Sequence, residues 1–149
     1  MYFWKTGSLV EDLKSNKVTE RNFKNYYLAS SLLMMISYYL AMTVPPENMT
    51  MILIEAVGSI GITVFGIDFV FKCNGGDSGS NFINKALCLS FPLMIKVFVA
   101  GFFIGFAVGI MEAASLFQQV IEIVYTGLVL LIQVIFFWRL AVHIQRVNA

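Results

Sequence analysis

The stretch Pro92 to Ala113, PLMIKVFVAGFFIGFAVGIMEA, decides how this chain is read. It is apolar over roughly the ~20 residues that a lipid bilayer requires. It carries one lysine, Lys96, near one end and repeats glycine at Gly101, Gly105 and Gly109. Glycine at every fourth position clears side chains from one helical stripe, so that another backbone can approach closely, as membrane helices do when no hydrophobic drive holds them together. The segment is therefore expected to have a helical neighbour. At about 100° per residue, Lys96 falls about 140° from Gly101 and about 180° from Gly105, so the charge and the glycine ladder face opposite ways.

The rest of the chain agrees with a lipid solvent. Of 149 residues, 58% are hydrophobic and 13% charged, which is apolar beyond the soluble norm. The mean hydropathy is +0.78. A net charge of +1, with no massed basic tract, gives no footprint for nucleic acid. Four apolar segments are expected to span, over residues of about 26–44, 50–71, 88–111 and 119–142. Pro45-Pro46 stops the first, because proline lacks an N–H and disfavours helix at the residue before it. The polar stretch from Cys73 to Asn81 separates the second from the third, and Phe136, Phe137 and Trp138 form an interface belt near the end of the fourth. The expected fold is an all-α integral membrane four-helix bundle, preceded by a leader over residues 1–25 and followed by a short tail over 143–149.

The leader mixes acids and bases and does not read as a secretory signal. Ser8 with Glu11 fits a capping box, which puts Leu9, Val10 and Leu13 on one side of a short amphipathic helix, and Phe3 and Trp4 are suited to the headgroup level. A solvated leader with incidental aromatics is the alternative. Thr19 is placed as an N-cap, with Val18 and Phe23 as a hydrophobic staple.

Basic residues set the expected orientation. Lys5, Lys14, Lys17, Arg21 and Lys24 precede the first segment, Lys72 and Lys85 lie between the second and third, and Arg139 and Arg146 close the chain. The positive-inside rule then puts both termini and the middle loop in the cytosol, most simply of a bacterial inner or plasma membrane, with 45–49 and 114–118 outside. Cys73 and Cys88 lack metal-ligand spacing and are expected as reduced thiols. The sequon Asn48-Met49-Thr50 reads as a chance occurrence.

Polar residues inside the segments carry what function can be read. Glu55, Ser59 and Gly66 share a stripe on the second, with Thr63 at its edge, and Glu122, Thr126 and Gln133 share one on the fourth. Such stripes turn towards neighbouring helices, because an unpaired polar group is costly in hydrocarbon. Glu55, Glu112 and Glu122 all fall near the outer ends. If the stripes face inward, the carboxylates meet and at least one holds a proton or shares a cation. If they do not, Glu112 and Glu122 simply sit in water at helix ends. Lys96 either lies near the midplane and pairs with Asp68, with Pro92 a kink within the helix, or snorkels from a helix that Pro92 opens. His143 is expected as an interfacial residue.

No nucleophile stands beside a base, no cysteine and histidine cluster has metal spacing, and Gly75-Gly76-Asp77-Ser78-Gly79 lacks the lysine of a phosphate loop. No enzyme activity, cofactor or metal is expected. Two function classes follow. One is a bundle that works by helix–helix contact through Gly101, Gly105 and Gly109, as a homo-oligomer or as an accessory, regulatory or immunity-type subunit of another membrane protein. The other is a small proton- or cation-coupled transporter or channel, with Glu55 and Glu122 as its ion site.

Overall fold

The computed structural model describes residues 1–42, 49–113 and 118–149. The described residues are helical, with no strand: α1 Thr6–Lys14, α2 Glu20–Met42, α3 Met49–Cys73, α4 Phe82–Ala113 and α5 Gln118–Asn148, with one 3-10 turn at Gly76–Ser78. The Pro45-Pro46 stop, the sequon residue Asn48 and most of the two expected outer loops lie outside the described residues.

Three of these helices are long and apolar enough to cross a membrane: Met49–Cys73, Phe82–Met111 and Val120–Asn148. Helix α2 has the length, but Tyr26, Tyr27, Tyr38, Tyr39 and three serines dilute its apolar content. The helices do not close into a ring. Helix α2 packs against α4, α4 against α5, and α5 against α3, while α2 and α3, consecutive in sequence, make no extensive contact and border one open-sided cavity with the other two. The contacts Gly58 with Leu130, Gly66 with Phe137 and Cys73 with Gln145 run in the same chain direction, so α3 and α5 are parallel.

Apolar residues are distributed in two opposite ways. Apart from Met1, Phe3, Trp4 and Ile83, the large apolar side chains that remain exposed fall in four runs, over residues 27–40, 49–69, 98–111 and 120–138. The main buried cluster lies outside all four. It joins Leu9, Val10 and Leu13 of α1 to Tyr26, Val70, Cys88, Leu89, Phe91, Leu93, Leu140, Ala141, Ile144 and Val147. At the end that carries α1, the protein is built as water-soluble proteins are, apolar inside. Beyond it the apolar surface points outward, as hydrocarbon solvent demands.

Helix α4 shows why both halves are needed. Its 32 residues extend about 48 Å, well past the ~30 Å of a hydrocarbon core. The excess is the stretch around Cys88 to Leu93, which packs in the buried cluster. Pro92 lies inside this helix and is buried, and does not open it. Lys96 therefore falls where the buried cluster ends and the exposed run begins, and not at a helix start.

Helix α1 has the expected amphipathic face, with Leu9, Val10 and Leu13 buried. The expected capping box is not formed. The helix begins at Thr6, two residues before Ser8, with Lys5 at the N-cap and no side-chain cap. Its stability comes instead from docking on α4 and α5, which agrees with the rule that short helices are held by packing more than by local signals. Helix α2 starts directly after Thr19, whose carbonyl accepts from the Phe23 N–H at 3.1 Å. Val18 and Phe23 both pack on the cluster.

Candidate functional site

Three features compete as the working part of this chain: the α3/α5 seam, the glycine face of α4, and the junction of α1 with α4 and α5. The seam joins the two polar stripes. Gln133 Nε2 donates to Thr63 Oγ1 at 2.8 Å and to the Ser59 carbonyl at 3.2 Å. Gly58 leaves room for Leu130, and Gly66 lies so close to the Phe137 ring that any Cβ there would collide with it. These polar groups bond one another, which makes the seam an adhesive between helices.

Of the three glutamates, Glu55 and Glu122 are half-buried, and the Glu112 side chain lies outside the described residues. In the α3/α5 register set by Gly58 and Leu130, Glu122 stands about five residues further along the axis than Glu55, roughly 7 Å. No group of three or more histidine, cysteine, aspartate or glutamate side chains is placed to hold a metal among the described residues.

The expected Lys96–Asp68 pair is not formed. Asp68 Oδ2 lies 2.7 Å from Lys72 Nζ, one turn along the same helix and exposed. Lys96 Nζ instead donates to Thr6 Oγ1 at 2.9 Å and sits 5.6 Å from the centre of the Trp4 ring. The leader supplies what a neighbouring span was expected to supply.

The glycine ladder is empty. A Cβ built on Gly101, Gly105 or Gly109 meets no atom within 4 Å among the described residues. All three glycines are exposed, along with Phe102, Phe103 and Phe106 beside them. No described atom of α2, α3 or α5 fills this stripe, and Gly101 borders a cavity that those helices also line. Where α2 leans on α4, an open-sided apolar cavity of about 540 Å³ remains, bounded by Leu33, Ser37, Phe98, Gly101 and Gln133 among others.

Two features were unread or misread in the sequence. Asn74, at the end of α3, is buried and accepts at Oδ1 from Lys85 Nζ (3.4 Å) and Asn148 Nδ2 (3.3 Å), while Lys85 also reaches Asn148 Oδ1 at 2.8 Å. This knot ties the ends of α3 and α5 to the start of α4. Gly75 turns the chain there with φ +102°, and Gly79 approaches Asn74 too closely to carry a side chain. The second is His143, which is only 4% exposed, with neither ring nitrogen bonded. It is buried beneath the surface rather than interfacial, as the sequence had suggested. Cys73 and Cys88 are free thiols, Cys73 half-buried and Cys88 fully buried.

Searches against known protein families, curated proteins and solved structures find no match for this chain. The class of the molecule, an all-helical protein with three helices able to cross a membrane, thus rests on its own residues.

Proposed function

We propose that this chain is a four-span membrane protein with both termini and the 74–81 loop in the cytosol, and that it works without catalysis, by lateral helix association through α4. The observation that carries this reading is the empty ladder at Gly101, Gly105 and Gly109. A run of glycines exposed in hydrocarbon leaves backbone uncovered and contributes little packing of its own, whereas a second helix laid on it gains close van der Waals contact. Support for a fourth span comes from α2, whose exposed apolar run over residues 27–40 matches those on the other three helices. The basic residues support the orientation, since Lys5, Lys14, Lys17, Arg21, Lys24, Lys72, Lys85 and Arg146 all belong to the α1 end or the segments tied to it.

The partner is a second copy or another membrane helix, with this chain as accessory, regulatory or immunity-type subunit. The test uses two differently tagged copies expressed together and crosslinked in the membrane. Gly105→Leu is expected to abolish co-capture while leaving the monomer as stable as before, because the new side chain meets nothing within the chain. Glu55→Gln is expected to leave co-capture intact. Undiminished capture in Gly105→Leu, between copies and with any co-purifying membrane protein, overturns the proposal. An ion-coupled carrier would reverse the pattern, with Glu55→Gln losing pH-dependent flux in liposomes.

A further inference from the structure

The junction of α1 with α4 and α5 gathers positive charge that no acid neutralises. Arg139, His143 and Arg146 are spaced four and three residues apart, which puts them on one stripe of α5. Lys96 comes to the same end from α4, where its ammonium bonds Thr6 at the start of α1, the helix that packs on both α4 and α5. Among the described residues no carboxylate pairs with Lys96, Arg139 or Arg146. The neutral partners of Lys96 are the Thr6 hydroxyl and the Trp4 ring. Beneath this group, His143 has two buried nitrogens without a partner. Buried polar groups are ordinarily satisfied, so the orphaned imidazole sets this junction apart from the hydrogen-bonded seam of α3 and α5.

Its level in the molecule identifies the anion. The exposed apolar run of α5 ends at Trp138, directly before Arg139, and that of α4 begins at Phe98, two residues after Lys96. Trp4, more than half exposed, stands at the same level over Lys96. Tryptophan and basic side chains at the edge of an apolar band lie at the depth of lipid phosphates, and basic pockets between helices on the cytosolic side bind anionic head groups. We propose that Lys96, Arg139 and Arg146 form a binding site for the headgroup phosphate of an anionic phospholipid, roofed by Trp4 and the start of α1. Binding there ties the leader to the membrane and offsets the mutual repulsion of the three cations.

The two tryptophans supply the assay. In a Trp138→Phe background Trp4 alone reports, and the full-length protein in neutral micelles is titrated with phosphatidylglycerol or phosphatidylcholine. Phosphatidylglycerol is expected to give a saturable emission change and phosphatidylcholine none. Lys96→Gln and Arg139→Gln are each expected to weaken binding about fivefold, the effect of roughly one interfacial cation. Lys14→Gln, an equal loss of charge at the exposed far end of α1, is expected to change nothing. Should Arg139→Gln disturb folding, Arg139→Lys keeps the charge and is expected to bind as the parent does. Inorganic phosphate at matched ionic strength is expected not to compete; competition would make this a free-anion site and overturn the lipid proposal. An equal response to phosphatidylcholine, or an equal loss in Lys14→Gln, would also overturn it.

Discussion

Gly66 and Gly105 look alike in the sequence, and the structure separates them. At Gly66 a Cβ strikes the Phe137 ring, whereas at Gly105 it meets open space. Gly66→Val is therefore expected to cost about 1–3 kcal/mol of stability through overpacking, and the double variant with Phe137→Leu to recover much of that loss. Denaturation in mixed micelles measures both. Gln133→Leu removes two hydrogen bonds across the seam and is expected to cost about 1–2 kcal/mol by the same assay. That Thr63 and Gln133 lie on stripes turned towards neighbouring helices was legible in the sequence, because a helix repeats with a fixed period and buried polar groups must find partners. The partner of Lys96 was not. Thr6 lies 90 residues away, on a helix whose docking leaves no periodic trace in the span it covers. Asn74 was illegible for a related reason, since a loop asparagine becomes a knot only when three chain ends converge on it.

Helix α1 is the element whose role the sequence understated. Its three buried residues showed that it has an apolar face, but a face that prefers a headgroup layer and one that prefers protein have the same pattern. The structure puts it on protein, in the cluster that holds Cys88. Leu9→Ala is expected to weaken that docking by about 2–5 kcal/mol, as large-to-small changes in packed cores do. Maleimide labelling reads the result: in the wild type Cys73 reacts and Cys88, fully buried, does not, while in Leu9→Ala Cys88 becomes reactive. A second tie is polar. Tyr2 Oη donates to Asp12 Oδ2 at 2.7 Å, and the Tyr2 N–H donates to Tyr26 Oη at 2.8 Å. The hydrogen bond to the Asp12 carboxylate raises the Tyr2 phenol above its ordinary value of 10.0. A phenol with a raised folded value favours docking fully below pH 10 and loses that contribution as pH rises from there through the raised value. Docking of α1 is thus expected to loosen in alkali in the wild type more than in Tyr2→Phe, as followed by hydrogen exchange of the α1 amides.

At the scale of the whole molecule, the decisive feature is the change of solvent along the helices. Composition alone pointed to lipid, and the apolar segments α3, α4 and α5 were found close to where they lie. The pairing of the helices was not, because it depends on which faces match. Here α5 matches both α3 and α4, and α2 is left at the edge. Nor could hydropathy show that α4 overshoots a bilayer, since its extra turns are apolar for the sake of a protein core. The inward facing of residues 88–95 and the outward facing of 98–111 become distinguishable only once α1 is seen against the former. A three-span chain would put the leader and the 74–81 loop on opposite sides of the membrane; a fourth crossing by α2 puts them together.

Single cysteines at Ser8, Ser78 and Ala149, in a background with Cys73 and Cys88 replaced, separate these topologies when probed by an impermeant maleimide in intact cells and in inverted vesicles. All three positions are expected to label from the cytosolic face alone. Labelling of Ser8→Cys from the face opposite to Ser78→Cys would contradict the fourth crossing and, with it, the membrane arrangement on which the empty glycine face depends.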